Sequence, residues 1–258
     1  MKNINQLELS ILIPCFNEQD VIEKTVIALM NEFNSQGVSY EILCVNNAST
    51  DNTENILACL EQQYSFLRYV NTPDIAGYGV AVRWGLQHYY GKSIVIVMAD
   101  GSESPSDVLR FYRKIDEGYD CVFGSRFMPN SVVEDYPKLK LLFNRLGNRL
   151  ISMIIRSNYD DYTNGFKCYR RELINQIQPL YGEKFNLTIE MSISAAMIKP
   201  RIAIIENSWR DRSEGMSKFN LVSQSILYLL TLSYCVLKRK IQGDSWEKFR
   251  KTLLKNYD

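Results

Sequence analysis

Short apolar runs alternate with amphipathic stretches through the first half of the chain. Leu9–Ile13, Glu41–Val45, Phe66–Val70, Ser93–Met98 and Asp120–Phe123 are rich in β-branched and large aliphatic side chains. Such runs mark strands buried on both faces. Pro14 is expected to end the first of them. Between the runs, Val21–Phe33 carries Val21, Ile22, Val26 and Leu29 at helical spacing. Asp51, in the polar loop NNASTDNT, stands where an acidic residue opens a helix. Gly77 and Gly79 open a helix running to about Tyr90, and Pro105 opens Pro105–Asp116. Strands alternating with helices predict an α/β fold with a doubly wound, mostly parallel sheet.

After Gly124 the rhythm changes. Residues 125–137 read as loop, and Leu139–Ser157 as a helix carrying Arg145, Arg149 and Arg156. Phe166–Tyr169 reads as a strand, Leu187–Ile198 as a helix, Arg201–Glu206 as a strand and Asp211–Lys218 as a charged loop. Phe219–Leu237 is a long apolar-rich helix followed by Lys238, Arg239 and Lys240. It approaches the ~20 residues that cross a bilayer. Ser223, Gln224, Ser225, Thr231 and Ser233 interrupt it, so an interfacial or body-packed helix is expected. The expected division is one domain over 1–220, with halves 1–124 and 125–220, and then a C-terminal amphipathic helix and basic tail over 221–258.

With 258 residues, 46% hydrophobic and 23% charged, the chain has the makeup of a globular protein. Its net charge of +1 hides a split: residues 1–120 hold 8 Lys/Arg against 16 Asp/Glu, and residues 121–258 hold 22 against 13. The second half therefore suits an anionic partner. Nucleic acid is disfavoured, because no basic run with interleaved aromatics stands out. Six cysteines without a CxxC pair read as small core residues of a reducing cytosol. The polar start, MKNINQLELS, gives no sign of an export signal. A single histidine, His88, argues against a His-based metal cage and against Ser-His-Asp chemistry.

The chemistry concentrates at Val97–Asp107, VMADGSESPSD. Asp100 ends a central strand, where open α/β sheets bind ligands. A hard carboxylate there suits Mg²⁺ or Mn²⁺ on a diphosphate, and the bland alternative is a turn or helix cap. In a parallel sheet the strand-end loops PCFNE, NNASTD and MADGS share one edge.

With GSRF (124–127), NRLGN (144–148), DDYTNGFK (160–167) and the Arg212–Lys218 segment, these loops resemble an inverting glycosyltransferase of family 2 with the GT-A fold. The nearest likeness is to the dolichol- or polyprenyl-phosphate mannose synthase type, over residues 9–220. The resemblance implies transfer of a sugar from a nucleotide-diphosphate sugar to a polyprenyl-phosphate lipid at the cytosolic membrane face by a peripheral protein. It implies that Pro14, Phe16 and Glu18 line the donor site, that Asn47 meets the base edge and that Asp51 braces that loop. Asp100 with Ser102 would hold the metal, with Glu103 close by. Arg126, Arg145 and Arg212 would face phosphates, Asn164 would join Arg126 and Arg145 on the acceptor side, and Lys218 would support a lid over 211–218.

Three features depart from the family pattern. Met98 stands at the first position of the usual DxD, Asn47 stands where an Asp often reads the base, and the processive signature QxxRW is absent. A phosphate monoester acceptor needs no general base, and Asp160, Asp161 and Glu190 are the candidate bases of the second half. A glycan-hydroxyl acceptor in surface polysaccharide assembly and a non-catalytic nucleotide-sugar-binding relative are the alternatives. A homo-oligomer or a membrane-protein partner is left open.

Overall fold

The computed structural model describes residues 7–73, 75–131, 133–134, 138–207, 209–210 and 221–241. The chain runs β1 (Leu9–Cys15), α1 (Ile22–Asn34), β2 (Tyr40–Asn46), α2 (Thr53–Gln63), β3 (Leu67–Asn71), α3 (Tyr78–His88), β4 (Ser93–Ile96), α4 (Pro105–Asp116) and β5 (Cys121–Ser125). The second half adds β6 (Val133–Glu134), α5 (Lys138–Ile155), β7 (Lys167–Arg170), α6 (Arg171–Ile177), α7 (Asn186–Ile198), β8 (Ile202–Glu206), β9 (Trp209–Arg210) and α8 (Leu221–Ile241).

Seven strands form one sheet in the order β3-β2-β1-β4-β7-β5-β8. All neighbours are parallel except at β7, which runs antiparallel to both β4 and β5. The sheet is thus mostly parallel, as the alternation predicts. Successive strand residues feed opposite cores. Ile11, Ile13, Ile42, Cys44 and Val95 pack with α1, α2 and α4 on one face. Leu12, Leu43, Val45, Ile94 and Ile96 pack with α3, α6, α7 and α8 on the other. Both faces are covered, which explains why the strands read as unbroken apolar runs.

Three features differ from the sequence expectation. The first strand does not stop at Pro14; it continues to Cys15, with Pro14 opposite Val45 of β2. Pairing with β4 covers only Leu9–Leu12, so the missing proline N–H falls beyond that ladder, where it is tolerated. The antiparallel β7 and the helix α6 directly after it lie where the sequence suggested only a short strand. Within the stretch read as loop, Val133–Glu134 pairs with Trp209–Arg210 in a separate two-stranded sheet.

Candidate active site

The carboxyl ends of β1, β2 and β4 carry the three loops, and hydrogen bonds sew the first two together. Asn17 adopts a left-handed φ of 55°, and its Oδ1 accepts from the Thr50 N–H at 2.7 Å while its own N–H donates to Ser49 Oγ at 3.0 Å. Thr53 Oγ1 accepts from the Glu18 N–H at 2.8 Å, and Asp51 Oδ2 accepts from the Gln19 N–H at 3.2 Å. Asp51 Oδ1 also takes the Thr53 hydroxyl at 2.5 Å and the Thr53 N–H at 3.0 Å. Desolvation raises the Asp51 pKa, but the donors from Thr53 and Gln19 outweigh it and hold the carboxyl below its ordinary value. The result is a braced rim from which Phe16 projects with half its surface exposed. Pro14 is buried in β1 beneath that rim.

Asn47 faces inward. It is buried, its amide donates to Thr72 Oγ1 at 2.8 Å and to the Ile75 carbonyl at 3.0 Å, and its Oδ1 accepts from the Gly77 N–H at 2.6 Å. These bonds tie β2 to the entry of α3 and occupy the side chain expected at the base edge. Its neighbour Asn46, buried at the end of β2, donates to Asn71 Oδ1 at 2.8 Å and keeps a buried Oδ1 without a partner among the described residues. The sequence reading passed over Asn46, because two adjacent asparagines look alike until their partners are known.

Asp100 follows β4 and is half-buried. Its Oδ1 accepts from the Ser102 N–H at 3.0 Å and from the Ser102 hydroxyl at 2.6 Å, around Gly101 at φ 69°. Thr25 Oγ1 donates to the Ala99 carbonyl at 2.7 Å and fixes the loop to α1. Glu103 turns back beneath it, and its Oε2 accepts from the Met98 N–H at 2.8 Å. Burial pushes the Glu103 carboxyl up to about 7, the Met98 N–H opposes this, and the Asp100 charge adds to the rise. The chain thus places a second carboxyl behind Asp100 although the first DxD position is Met98. The sequence named Glu103 only as a neighbour; its return to the Met98 backbone leaves no trace in residue spacing.

Arg126 turns to partners within the chain. Its guanidinium forks onto Asp161, Nε to Oδ2 at 2.8 Å and Nη2 to Oδ1 at 2.7 Å, and Nη2 reaches Thr163 Oγ1 at 2.9 Å. Both side chains are buried, at 8% and 0% exposure. The fork that was expected to hold an acceptor phosphate therefore secures the turn at 159–166 against β5. Asn164 is part of the same clamp: it is buried, donates to the Gly124 carbonyl at 2.8 Å and to Asn207 Oδ1 at 2.9 Å, and accepts from the Phe166 N–H. That network takes up the side-chain donors and acceptor expected on the acceptor side. Arg145, on α5, is exposed, and its guanidinium lies 5.3 Å from the Phe127 ring centroid. Arg212, Lys218 and the expected lid over 211–218 lie outside the described residues.

The candidate bases are held as well. Asp160 Oδ1 accepts from Ser125 Oγ at 2.7 Å, and Asp161 is the partner of Arg126. Glu190 is buried and accepts from the Tyr181 and Gly182 N–H groups, which fixes the loop that covers the start of α3. Among the described residues, no group of three or more His, Cys, Asp and Glu side chains could hold a metal ion. Asp100 with Ser102 makes a sparse hard-oxygen donor set. That set suits a cation bound mainly by phosphate oxygens and water.

Comparison with known proteins supplies the context for this geometry. The model described as glycosyl transferase family 2 matches residues 10–178. The chain is 24% identical over 218 residues to a polyprenol monophosphomannose synthase of Mycolicibacterium smegmatis, covering 81% of this chain and 80% of the relative. It is 28% identical over 174 residues to an uncharacterized glycosyltransferase of a Synechocystis strain, 67% of this chain but only 54% of that relative. The chain therefore spans most of the first relative and about half of the second. Among solved structures it resembles glucosyl-3-phosphoglycerate synthase of Mycobacterium tuberculosis in complex with Mn²⁺, UDP and phosphoglyceric acid. The TM-score is 0.66 at 20% identity, over 89% of this chain and 78% of that one. The shared fold is that of the GT-A glycosyltransferases.

Proposed function

Because the chain belongs to glycosyl transferase family 2, we propose that it transfers a sugar, with inversion, from a nucleotide-diphosphate sugar to a polyprenyl-phosphate lipid. The donor occupies the edge formed by the loops after β1, β2 and β4. Phe16 stacks on the nucleoside, and the open Oδ1 of Asn46 is the acceptor for a base N–H. Asp100 and Ser102 would hold Mg²⁺ or Mn²⁺ on the diphosphate; the neighbour crystallised with Mn²⁺ and UDP supports a divalent cation with this fold. The metal would neutralise charge on the departing nucleoside diphosphate. Arg145, one of the exposed cations of α5, is offered to the acceptor phosphate.

The observation that carries the lipid-phosphate reading is the state of the carboxylates. Asp161 and Glu190 are buried and held by structural donors, and Asp160, though exposed, is held at Oδ1 by Ser125. An acceptor that arrives ionised needs none of them to take a proton. The polyprenol monophosphomannose synthase relative supports the same direction. Glu103 favours a second reading. It is a buried carboxyl beside Asp100, and in transfer to a glycan hydroxyl it would be the group nearest to hand as base. A donor panel assayed with polyprenyl phosphate, with the free polyprenol and with a soluble glycan separates the readings. The expected product is glycosylated polyprenyl phosphate alone. Equal use of the alcohol, or transfer to the glycan with none to the lipid, would select the second reading. No nucleoside diphosphate release from any donor would make the chain a binding relative.

A further inference from the structure

The loop 178–185 joins α6 to α7, and side chains from three helices hold it. Lys238 of α8 donates to the Ile177 carbonyl at 3.2 Å and to the Pro179 carbonyl at 2.5 Å. Arg83 of α3 donates to the Leu180 carbonyl at 3.1 Å. Glu190 of α7 accepts from the Tyr181 N–H at 3.0 Å and from the Gly182 N–H at 2.7 Å. The Tyr181 ring meets the Tyr234 ring of α8 edge-on, with centroids 5.8 Å apart. A surface connection could leave such backbone groups to water. Here they are ordered by long side chains, which costs rotamer freedom.

What the harness supports is the entry of α3. The Glu183 carbonyl accepts from the Gly79 N–H at 2.9 Å and from the Val80 N–H at 3.3 Å, donors that the start of a helix leaves open. The Phe185 ring stacks on Tyr78 at 4.5 Å. On its other side the same entry is tied to the loop after β2, where Asn47 accepts from the Gly77 N–H at 2.6 Å. The fit has no slack. A Cβ on Gly77 would stand 2.4 Å from the Glu183 carbonyl oxygen, and one on Gly79 equally close to that of Gly182. A shift of the loop is therefore passed to the start of α3 and on to the donor edge.

We propose that Lys238 is a positioning residue of the nucleotide site, through which α8 sets the 178–185 loop and with it the entry of α3 beside the donor edge. Desolvation lowers the Lys238 ammonium pKa, and the charge of the buried Glu190 opposes the fall. Cation and anion thus grip one loop from the packed helices α8 and α7, the first by its carbonyls and the second by its N–H groups. The last helix belongs to the framework of the donor site, although Lys238 itself acts only through the loop. This deepens the proposed function, and it rests on that reading for its kinetic consequence alone.

Two readouts on the full chain test it. Hydrogen exchange, followed by mass spectrometry over residues 77–83, needs no substrate. Lys238→Met removes the ammonium donors, and it should speed exchange at the Gly79 and Val80 amides by about tenfold. Lys238→Arg, which keeps a donor, should restore slow exchange. In transfer assays Lys238→Met should raise the KM for the nucleotide sugar about fivefold or more, with kcat within about twofold of wild type, and Lys238→Arg should recover most of the loss. Tyr234→Leu removes the ring against Tyr181 and should show the same pattern more weakly, which keeps the test open if Lys238→Met fails to fold. Unchanged exchange at Gly79 and Val80 in the folded variants would overturn the assignment. So would faster exchange spread evenly over the chain, or faster exchange with an unchanged donor KM, since either leaves Lys238 a purely structural tie. Absence of transfer by wild type from any donor would count against the transferase reading, and the exchange result would still decide whether α8 sets the entry of α3.

Discussion

Arg126 and Asp161 show how far a single residue's role depends on its partner. An exposed arginine on a loop would be an anion grip, but here the fork closes on a carboxylate that is itself fully buried. Arg126→Ala would strand Asp161 without compensation, and we expect a loss of about 3–5 kcal/mol of stability in urea titration. Lys167 lies in the same cluster, donating to the Tyr162 and Asn164 carbonyls. Burial lowers its ammonium pKa, Asp161 resists and Arg126 adds to the fall, leaving it at about 7 against an ordinary 10.5. Between those values the unfolded chain binds more protons than the folded one, so stability rises with pH across the window. The melting midpoint of wild type, taken relative to Lys167→Met, should climb from about pH 7 to about pH 9.5, and a flat difference would show that the amine titrates normally. At the opposite edge of the site, Asp100→Asn should cut nucleoside diphosphate release by about two orders of magnitude. Undiminished release in that variant would remove Asp100 from the metal.

At the scale of elements, the entry of α3 is the tightest joint near the site. The Glu183 carbonyl accepts from the Gly79 N–H at 2.9 Å, and a Cβ on Gly79 would stand 2.4 Å from the Gly182 carbonyl oxygen. Gly79→Ala must push the 180–185 loop away, and we expect about 1–3 kcal/mol of destabilisation with weaker nucleotide binding, read by thermal shift with and without UDP. Arg145→Ala on α5 should weaken acceptor use far more than nucleotide affinity; equal losses would place Arg145 on the donor side. The sequence located these elements well where period and punctuation agree. Pro105–Asp116 is a helix with the bounds predicted from its proline and its apolar spacing. It did not reveal that β7 runs antiparallel, because four residues of KCYR carry no record of strand direction. It marked Asn47, Arg126 and Asn164 as notable but could not see that each closes on a distant partner. Those hydrogen bonds join positions tens of residues apart and leave no local pattern.

For the whole molecule, the two halves expected to meet at residue 124 share a single sheet. Strand β7 from the second half is wedged between β4 and β5, and among the described residues β5 pairs only with β7 and β8. The halves cannot separate without leaving β5 unpaired. Urea unfolding should therefore be one transition, coincident by far-ultraviolet circular dichroism and tryptophan fluorescence; two separated steps would reveal an independent half. The wedge also sets an order of events during synthesis. When β4 leaves the ribosome, β1 can pair one of its edges at once, but the other must wait for residues 97–166 to be made. At ~5–20 residues per second that delay is several seconds. Throughout it, the nascent chain carries an open, largely apolar strand edge, Ser93–Ile96, of the kind that recruits other chains. This makes the interval before β7 emerges the one in which the newborn protein most needs shielding from its neighbours.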